Sequence, residues 1–98
     1  MDEEMWIRFV EIKSPSKMQF EMTASYFKTE WSPKVLALGA VSTEFVRLSE
    51  NSGMYVICYP DEATAKDVFM KIKSDVEEHS AQNKTTIREG ERIFKLEA

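Results

Sequence analysis

The chain has 98 residues, enough for one hydrophobic core and too few for two domains, so residues 1–98 are predicted to form a single domain. Hydrophobic residues make up 43% and charged residues 31%, which is typical of a globular protein, and no stretch approaches the roughly 18 apolar residues of a membrane span. The net charge of −4 excludes the basic surface of a typical nucleic-acid binder. We therefore expect neither nucleic acid nor a membrane as a partner.

The N-terminus predicts the location of the protein, and the single cysteine excludes a disulfide within the chain. Residues 1–4 read Met-Asp-Glu-Glu, acidic where a secretory signal would be basic, so the expected location is the cytoplasm. The single cysteine, Cys58, lies within an apolar run and is predicted to be core packing rather than a reactive thiol. One Cys and one His cannot supply the three or four ligands of a usual zinc site, so no metal is expected.

The first third of the chain predicts a strand followed by a helix. Met5–Lys13 is rich in β-branched and aromatic residues, and Ser14-Pro15 has the pattern of an N-cap followed by proline in the first helical turn. A helical apolar stripe follows, and Ser32-Pro33 predicts a kink or break before a short turn of helix that ends at Gly39. The stripe consists of Phe20, Ala24, Phe27 and Trp31, widened toward a second contact surface by Met18, Met22 and Tyr26.

The remainder predicts a hairpin, a helix and a last strand. Val41–Ser49 and Met54–Tyr59 are strand-like, and the Asn and Gly of residues 50–53 suit a turn with positive φ. Asp61 is the expected cap of the second helix, residues 80–84 read as a loop, and residues 85–96 return to strand character with a bulge or turn at Gly90. The buried stripe of the second helix consists of Ala65, Val68, Phe69, Ile72 and Val76.

The order βαββαβ predicts an α+β, ferredoxin-like fold, a four-stranded antiparallel sheet with both main helices on one face. We expect the helices to cover the face of Ile7 and Phe9, which leaves Trp6 and Arg8 on the other. Strands one and three are apolar on both faces, whereas a sheet with one wet face alternates cleanly. The second face is therefore expected to pack on another copy of the chain, as a homodimer.

Several positions resemble the dimeric α/β-barrel superfamily: Gly39 before strand two, residues 59–63 (Tyr-Pro-Asp-Glu-Ala) at the start of helix two, and Gly90-Glu91 in the last strand. That superfamily includes antibiotic-biosynthesis-type monooxygenases, haem-degrading monooxygenases and stress-responsive barrel proteins. The resemblance implies a dimer that encloses a cavity between two sheets.

The candidate ligand-binding residues are aromatic, cationic and phenolic side chains. All four arginines lie in predicted strands; Arg8 shares a strand face with Trp6, and together they suit a planar anion. Alternatively, the arginines pair with Glu11, Glu44, Glu89 or Glu91. The cavity candidates are Trp6, Arg8, Arg47, Tyr55, Tyr59 and His79.

His79 occupies a position similar to that of the haem-ligating histidine of the haem-degrading members, but the asparagine and tryptophan of their pattern have no counterpart here. No haem or other cofactor is therefore expected. Three functions stay open: binding of a small molecule without an assigned reaction, cofactor-independent oxygenation of the antibiotic-biosynthesis type, and a non-catalytic structural or interaction module. The sequence does not decide whether the protein is an enzyme.

Overall fold

A computed structural model of the protein describes residues 5–80 and 83–98, and only the backbone of residues 75–80. Its elements are β1 (Trp6–Lys13), α1 (Lys17–Tyr26), a π-helical turn (Phe27–Trp31), α2 (Ser32–Leu38), β2 (Ser42–Ser49), β3 (Ser52–Tyr59), α3 (Glu62–Ser80) and β4 (Lys84–Glu91). The strands form one antiparallel sheet in the order β2-β3-β1-β4. The predicted α+β architecture with two main helical segments is confirmed. Within the described residues, no helix has the length and apolar character needed to cross a membrane.

The face of β1 that packs on the helices is the opposite of the one predicted. Ile12 belongs to the core, together with Tyr55 and Ile57 of β3 and Val68 and Ile72 of α3. In a strand, side chains alternate between faces, so Trp6 and Arg8 lie on this helix side, while Ile7 and Phe9 lie on the other. Both faces of β1 carry apolar side chains, so the alternation alone does not predict which face the helices cover. The face is decided by β3, whose two tyrosines fill the space beneath the helices.

The first helical segment starts later than predicted and does not break at its proline. Ser16 is the N-cap, and its hydroxyl accepts from the amide of Gln19 at 3.1 Å. At the predicted break, the amide of Ser32 donates to the carbonyl of Phe27, five residues back. This wider π turn lets the chain stay helical through Pro33, which has no amide hydrogen to contribute.

Ser14, the predicted cap, instead joins a buried polar cluster. Its hydroxyl bonds to the side-chain oxygen of Asn83 at 2.7 Å, and its amide donates to the carbonyl of Asn51 at 2.8 Å. The cluster ties the end of β1 to the hairpin turn and to the start of β4.

Glycine 39 behaves as predicted, and the other two glycines do not. Gly39 ends α2 with φ of 133°, the one positive φ among the described residues. The hairpin turn is therefore made without positive φ, and Gly53 lies inside β3, where a Cβ would meet Phe45, Phe20 and the backbone of Val46 within 2.8 Å. Gly90 pairs with Ile7 in an unbroken register, so β4 carries no bulge there, and the strand ends at Glu91 rather than near residue 96.

The start of α3 agrees with the prediction. The carboxylate of Asp61 accepts from the amide of Thr64 at 2.7 Å, and Val68 and Ile72 are buried on the sheet. The side chain of Val76 and the centre of the predicted loop, residues 81–82, lie outside the described residues.

The sheet face opposite the helices is here called the open face. It consists of the apolar residues Ile7, Phe9, Val46, Met54, Val56 and Cys58, together with polar residues of all four strands. Cys58 is buried, as predicted, but on this face rather than in the helix-side core.

Candidate functional site

Arg8 is a charged residue enclosed on the helix side of the sheet. It lies on the central strand β1, between Ile57 of β3 and Glu89 of β4, and only 6% of it is exposed. Its guanidinium lies 5.1 Å from the ring centre of Phe69 on α3 and 5.7 Å from that of Tyr59 on β3. These rings make cation–π contacts, which explains how an apolar layer tolerates the charge.

The ionic partner of Arg8 is shared and half-solvated. Arg8 Nη2 lies 3.4 Å from Glu89 Oε1, and the same oxygen accepts from the indole nitrogen of Trp6 at 2.7 Å. The Glu89 side chain is 39% exposed, so water solvates part of its carboxylate and weakens its attraction to Arg8. Among the described residues, the Nε of Arg8 has no hydrogen-bond partner. The guanidinium is therefore a buried cation with donor capacity left for a further anion.

A cavity of about 40 Å³ adjoins Arg8 between the sheet and the helices. One water molecule needs about 10–15 Å³ of cavity volume, so this cavity has room for a few waters or one compact polar group. Its walls are mainly apolar, and the polar groups that the described residues contribute are Arg8, Tyr55, Asn83 and Thr85. The apolar wall residues are Val10, Ile12, Phe27, Trp31, Ile57, Phe69, Ile72 and Ile87. This cavity lies within one chain, and the cavity between two sheets that the resemblance implies stays a prediction.

The two buried tyrosines of β3 differ in their hydrogen bonds. The Tyr55 hydroxyl bonds to Ser32 Oγ at 2.5 Å; burial raises the pKa of Tyr55, while its hydrogen bonds to Ser32 and Thr43 oppose that rise. The Tyr59 hydroxyl has no partner among the described residues. Burial raises the pKa of Tyr59 as well, although the nearby Arg8 charge opposes it. Both side chains are therefore neutral phenols at physiological pH, able to donate a hydrogen bond but unsuited to accept a proton.

Arg47 belongs to a different site. It lies on β2 with its guanidinium 4.9 Å from the ring centre of Phe20, and it donates to the carbonyl of Glu50 at 2.9 Å. A groove of about 460 Å³ runs between α1 and β2 beside it. Tyr55 lines both this groove and the Arg8 cavity, so its ring forms part of the wall between them. The structure does not bring Arg47 to Arg8.

The other predicted candidates take different positions. Trp6 lies beside Glu89 at the end of β1 and does not line the cavity, and Tyr59 lies behind Arg8 as part of the core. The side chain of His79 lies outside the described residues. Of the predicted arginine–glutamate pairs, Arg8–Glu89 is present, whereas Arg47 pairs with Glu21 of α1 at 3.5 Å.

Most residues that line the cavity were not predicted as part of the site, and Phe69 and Asn83 show why. Phe69 lies in the apolar stripe of α3. The sequence pattern does not distinguish a ring that contacts a cation from an ordinary core residue. Asn83 stands in a polar run that reads as a loop, and its burial depends on its bonds to Ser14 and Thr23. Among the described residues, no three His, Cys, Asp or Glu side chains cluster closely enough to hold a metal ion.

No protein-family model matches the sequence, and no curated protein matches it. Solved structures do. A dimeric ferredoxin-like protein from an uncultured marine organism superposes with a TM-score of 0.80 at 10% identity, covering 96% of this chain and 100% of its own. A protein of unknown function from Nitrosomonas europaea has a TM-score of 0.72 at 18% identity, covering 98% of this chain and 97% of its own.

A second dimeric ferredoxin-like protein from an uncultured marine organism has a TM-score of 0.69 at 11% identity, covering 96% of this chain and 99% of its own. None of the three is described as a monooxygenase, so the predicted resemblance to that branch stays a prediction. At these identities the similarity concerns the fold alone, and the chain has a ferredoxin-like fold.

Proposed function

We propose that this chain is a single-domain, homodimeric, ferredoxin-like protein of the cytoplasm that binds a small carboxylate in the cavity beside Arg8. The observation that supports it is the state of Arg8: a guanidinium that is 6% exposed, bonded to one shared glutamate at 3.4 Å, with an unpartnered Nε among the described residues. Removing a charge from water is costly unless partners replace the lost hydration. A ligand anion would supply the missing partner.

The chemistry of the cavity favours a compact carboxylate with an apolar body. A guanidinium presents its donors in a planar fork that matches the two oxygens of a carboxylate. Asn83 and Thr85 add polar contacts, while Phe69 and Ile87 offer apolar surface to the rest of the ligand. The volume of about 40 Å³ favours a ligand of few atoms.

Binding is better supported than oxygenation or other proton-transfer chemistry. A cofactor-independent reaction needs a group that removes a proton from the substrate. Among the described residues that line the cavity, none is Asp, Glu or His, and burial keeps the phenol of Tyr55 protonated. We therefore propose a binding function and assign no reaction.

The homodimer is supported by the open face. Phe9 and Val46 on that face are 41% and 48% exposed. Contiguous apolar surface of this kind is usually covered by a partner. Two of the three similar solved structures are described as dimeric. A second copy of the chain is the simplest partner, because an isologous contact covers the same patch on both copies.

The ligand proposal is tested by thermal unfolding in the presence of acetate, propionate and benzoate, each compared with its amide. We expect the carboxylates, but not the amides, to raise the unfolding temperature, with about 1 kcal/mol of binding stabilisation giving roughly 4–8 °C in a chain of this size. The Arg8→Met variant should lose this response. Lys71→Gln, on the exposed side of α3, should keep it.

The Arg8→Met variant is also expected to fold. Glu89 is partly solvated and tolerates the loss of its partner, and replacing a buried charge by an apolar side chain of similar length is often neutral or stabilising by about 1–4 kcal/mol. The proposal is wrong if no carboxylate stabilises the wild type, or if Arg8→Met responds as the wild type does.

The homodimer is tested by light scattering at micromolar concentration. We expect twice the 11.4 kDa mass of one chain. The mass of a single chain would contradict the dimer and leave the ligand proposal to its own test.

A further inference from the structure

We propose that the C-terminal segment, residues 92–98, packs its apolar side chains against the open face of a second copy of the chain. This segment is here called the C-terminal arm. The inference rests on the proposed homodimer and names the segment that completes its interface.

The arm displays its apolar side chains to solvent. After β4 ends at Glu91, Ile93, Phe94 and Leu96 are 82%, 73% and 85% exposed. Single exposed apolar residues are common on protein surfaces, but three large ones within four positions form a patch.

The polar side of the arm faces its own domain. The amide of Arg92 donates to the carbonyl of Met5 at 2.8 Å, and its guanidinium donates to Cys58 Sγ at 3.5 Å. Lys95 lines the same groove of the open face as Ile7 and Val56. The arm is therefore held by its basic residues and turns its apolar residues outward, the reverse of a tail that packs on its own core.

The arm covers only one end of the open face. Arg92 and Lys95 lie near the row in which Ile7 pairs with Cys58. Farther along the sheet, Val46 is 48% exposed, and Phe9, which also lines the groove, is still 41% exposed. Each chain thus carries an apolar arm and an apolar end of the sheet that the arm leaves bare. In a two-fold dimer the arm of each copy meets the bare end of the other, and both contacts form together.

The exposed area agrees with this arrangement. Taking roughly 180 Å² for a large apolar residue, the three arm residues expose about 400 Å², and with Phe9 and Val46 the total is about 600 Å². A standard interface buries about 800 Å² per partner, so these residues account for most of what a stable dimer needs.

The first experiment changes the arm and leaves the sheet intact. The double variant Phe94→Asp/Leu96→Asp should shift the dimer toward monomer in sedimentation velocity, weakening dimerisation at least ~30-fold, the effect of losing one central interface residue. Met70→Asp, a matched change at a 67% exposed position on α3, should leave the dimer unchanged. Circular dichroism like that of the wild type is expected for both variants, since each changed side chain is mostly exposed.

If the double variant dimerises as the wild type does, the arm is not part of the interface, although the homodimer stands. If the wild type itself is a monomer, the homodimer and the arm proposal both fail. The two results are distinguishable within one experiment.

A second experiment locates the contact. In a Cys58→Ala background, chains carrying Phe94→Cys are mixed and oxidised with chains carrying Val46→Cys. The mixture should give a disulfide-linked species of two chains. A chain that carries both cysteines and forms the link within itself, while the mixture forms none, would show that the arm folds onto its own sheet and would overturn the proposal.

Discussion

Two tyrosines four residues apart on β3, Tyr55 and Tyr59, are both buried, yet we expect their hydroxyl groups to have opposite consequences for stability. Tyr55 bonds to Ser32, whereas the Tyr59 hydroxyl has no partner among the described residues. A buried hydroxyl without a partner keeps the full cost of its desolvation, and a satisfied one repays it. Next to Arg8, the Tyr59 hydroxyl is a second buried polar group that is free to form a further hydrogen bond.

We predict that Tyr55→Phe lowers the free energy of unfolding by about 1 kcal/mol, because it leaves Ser32 without its bond. Tyr59→Phe should be neutral or stabilising by up to about 1 kcal/mol, because it removes a buried hydroxyl that has no partner among the described residues. Urea unfolding at neutral pH measures both. Equal losses in the two variants would show that the Tyr59 hydroxyl is satisfied in solution.

The sequence located the central residues of the candidate site only in part. Arg8 and Tyr55 were predicted from residue type and do line the cavity. Their surroundings were not predictable, because the position of Arg8 depends on two rings distant in sequence, Phe69 and Tyr59, and on which face of β1 the helices cover. From the sequence alone, an arginine in a strand is expected to be exposed, because its contacts with those two rings are not predictable.

At the scale of elements, the strong patterns predicted the type and order of every main segment, and errors arose where one pattern fits two geometries. Serine followed by proline fits both a helix start and a continuous helix with a π turn, and the chain uses the second at Ser32-Pro33. Glycine in a hairpin fits both a positive φ and a close contact, and Gly53 is the second case.

Gly53 and Gly90 provide a matched pair of strand glycines. Gly53→Ala should lower the free energy of unfolding by about 1–3 kcal/mol, because the new methyl group would meet two aromatic rings and the fixed carbonyl of Val46. Gly90→Ala meets nothing within 4 Å and should gain about 0.4–1 kcal/mol through the unfolded chain. The two changes are compared by chemical denaturation, and a similar effect of both would contradict the assigned contacts.

The cap of α3 predicts a pH dependence. The hydrogen bonds from Thr64 lower the pKa of Asp61 in the folded chain. The folded protein therefore binds this proton less readily than the unfolded one, so the stabilisation is present above the unfolded pKa of about 3.9 and is lost as pH falls through the lower folded value.

Asp61→Asn keeps a side-chain oxygen for the cap but has no acid to titrate. We expect the difference in unfolding temperature between wild type and variant to be constant from pH 7 to about pH 5 and to change below about pH 4 in favour of the variant. Thermal unfolding between pH 3 and 7 measures this. Curves that stay parallel over the whole range would show that the cap does not depend on the charge of Asp61.

At the scale of the whole molecule, the two faces of the sheet have different roles. The helix side buries an ordered core and encloses Arg8, while the open face and the C-terminal arm expose apolar surface that one chain does not cover. In a dimer, the stability of the fold and the association of the chains become one equilibrium.

The unfolding temperature should therefore depend on protein concentration. For a dimer that unfolds to two separate chains, a tenfold increase in concentration adds about 1.4 kcal/mol to the folded state, which raises the unfolding temperature by roughly 3–5 °C for two chains of this length. Calorimetry at three concentrations over two decades measures the slope.

The Met70→Asp variant should follow the wild type, because Met70 lies on the outer side of α3, away from the open face. The unfolding temperature of the Phe94→Asp/Leu96→Asp variant should depend less on concentration, since its monomeric fraction gains nothing from mass action. A wild-type unfolding temperature that is constant over the same range would show that the chain folds and unfolds as a monomer, and that water covers the open face.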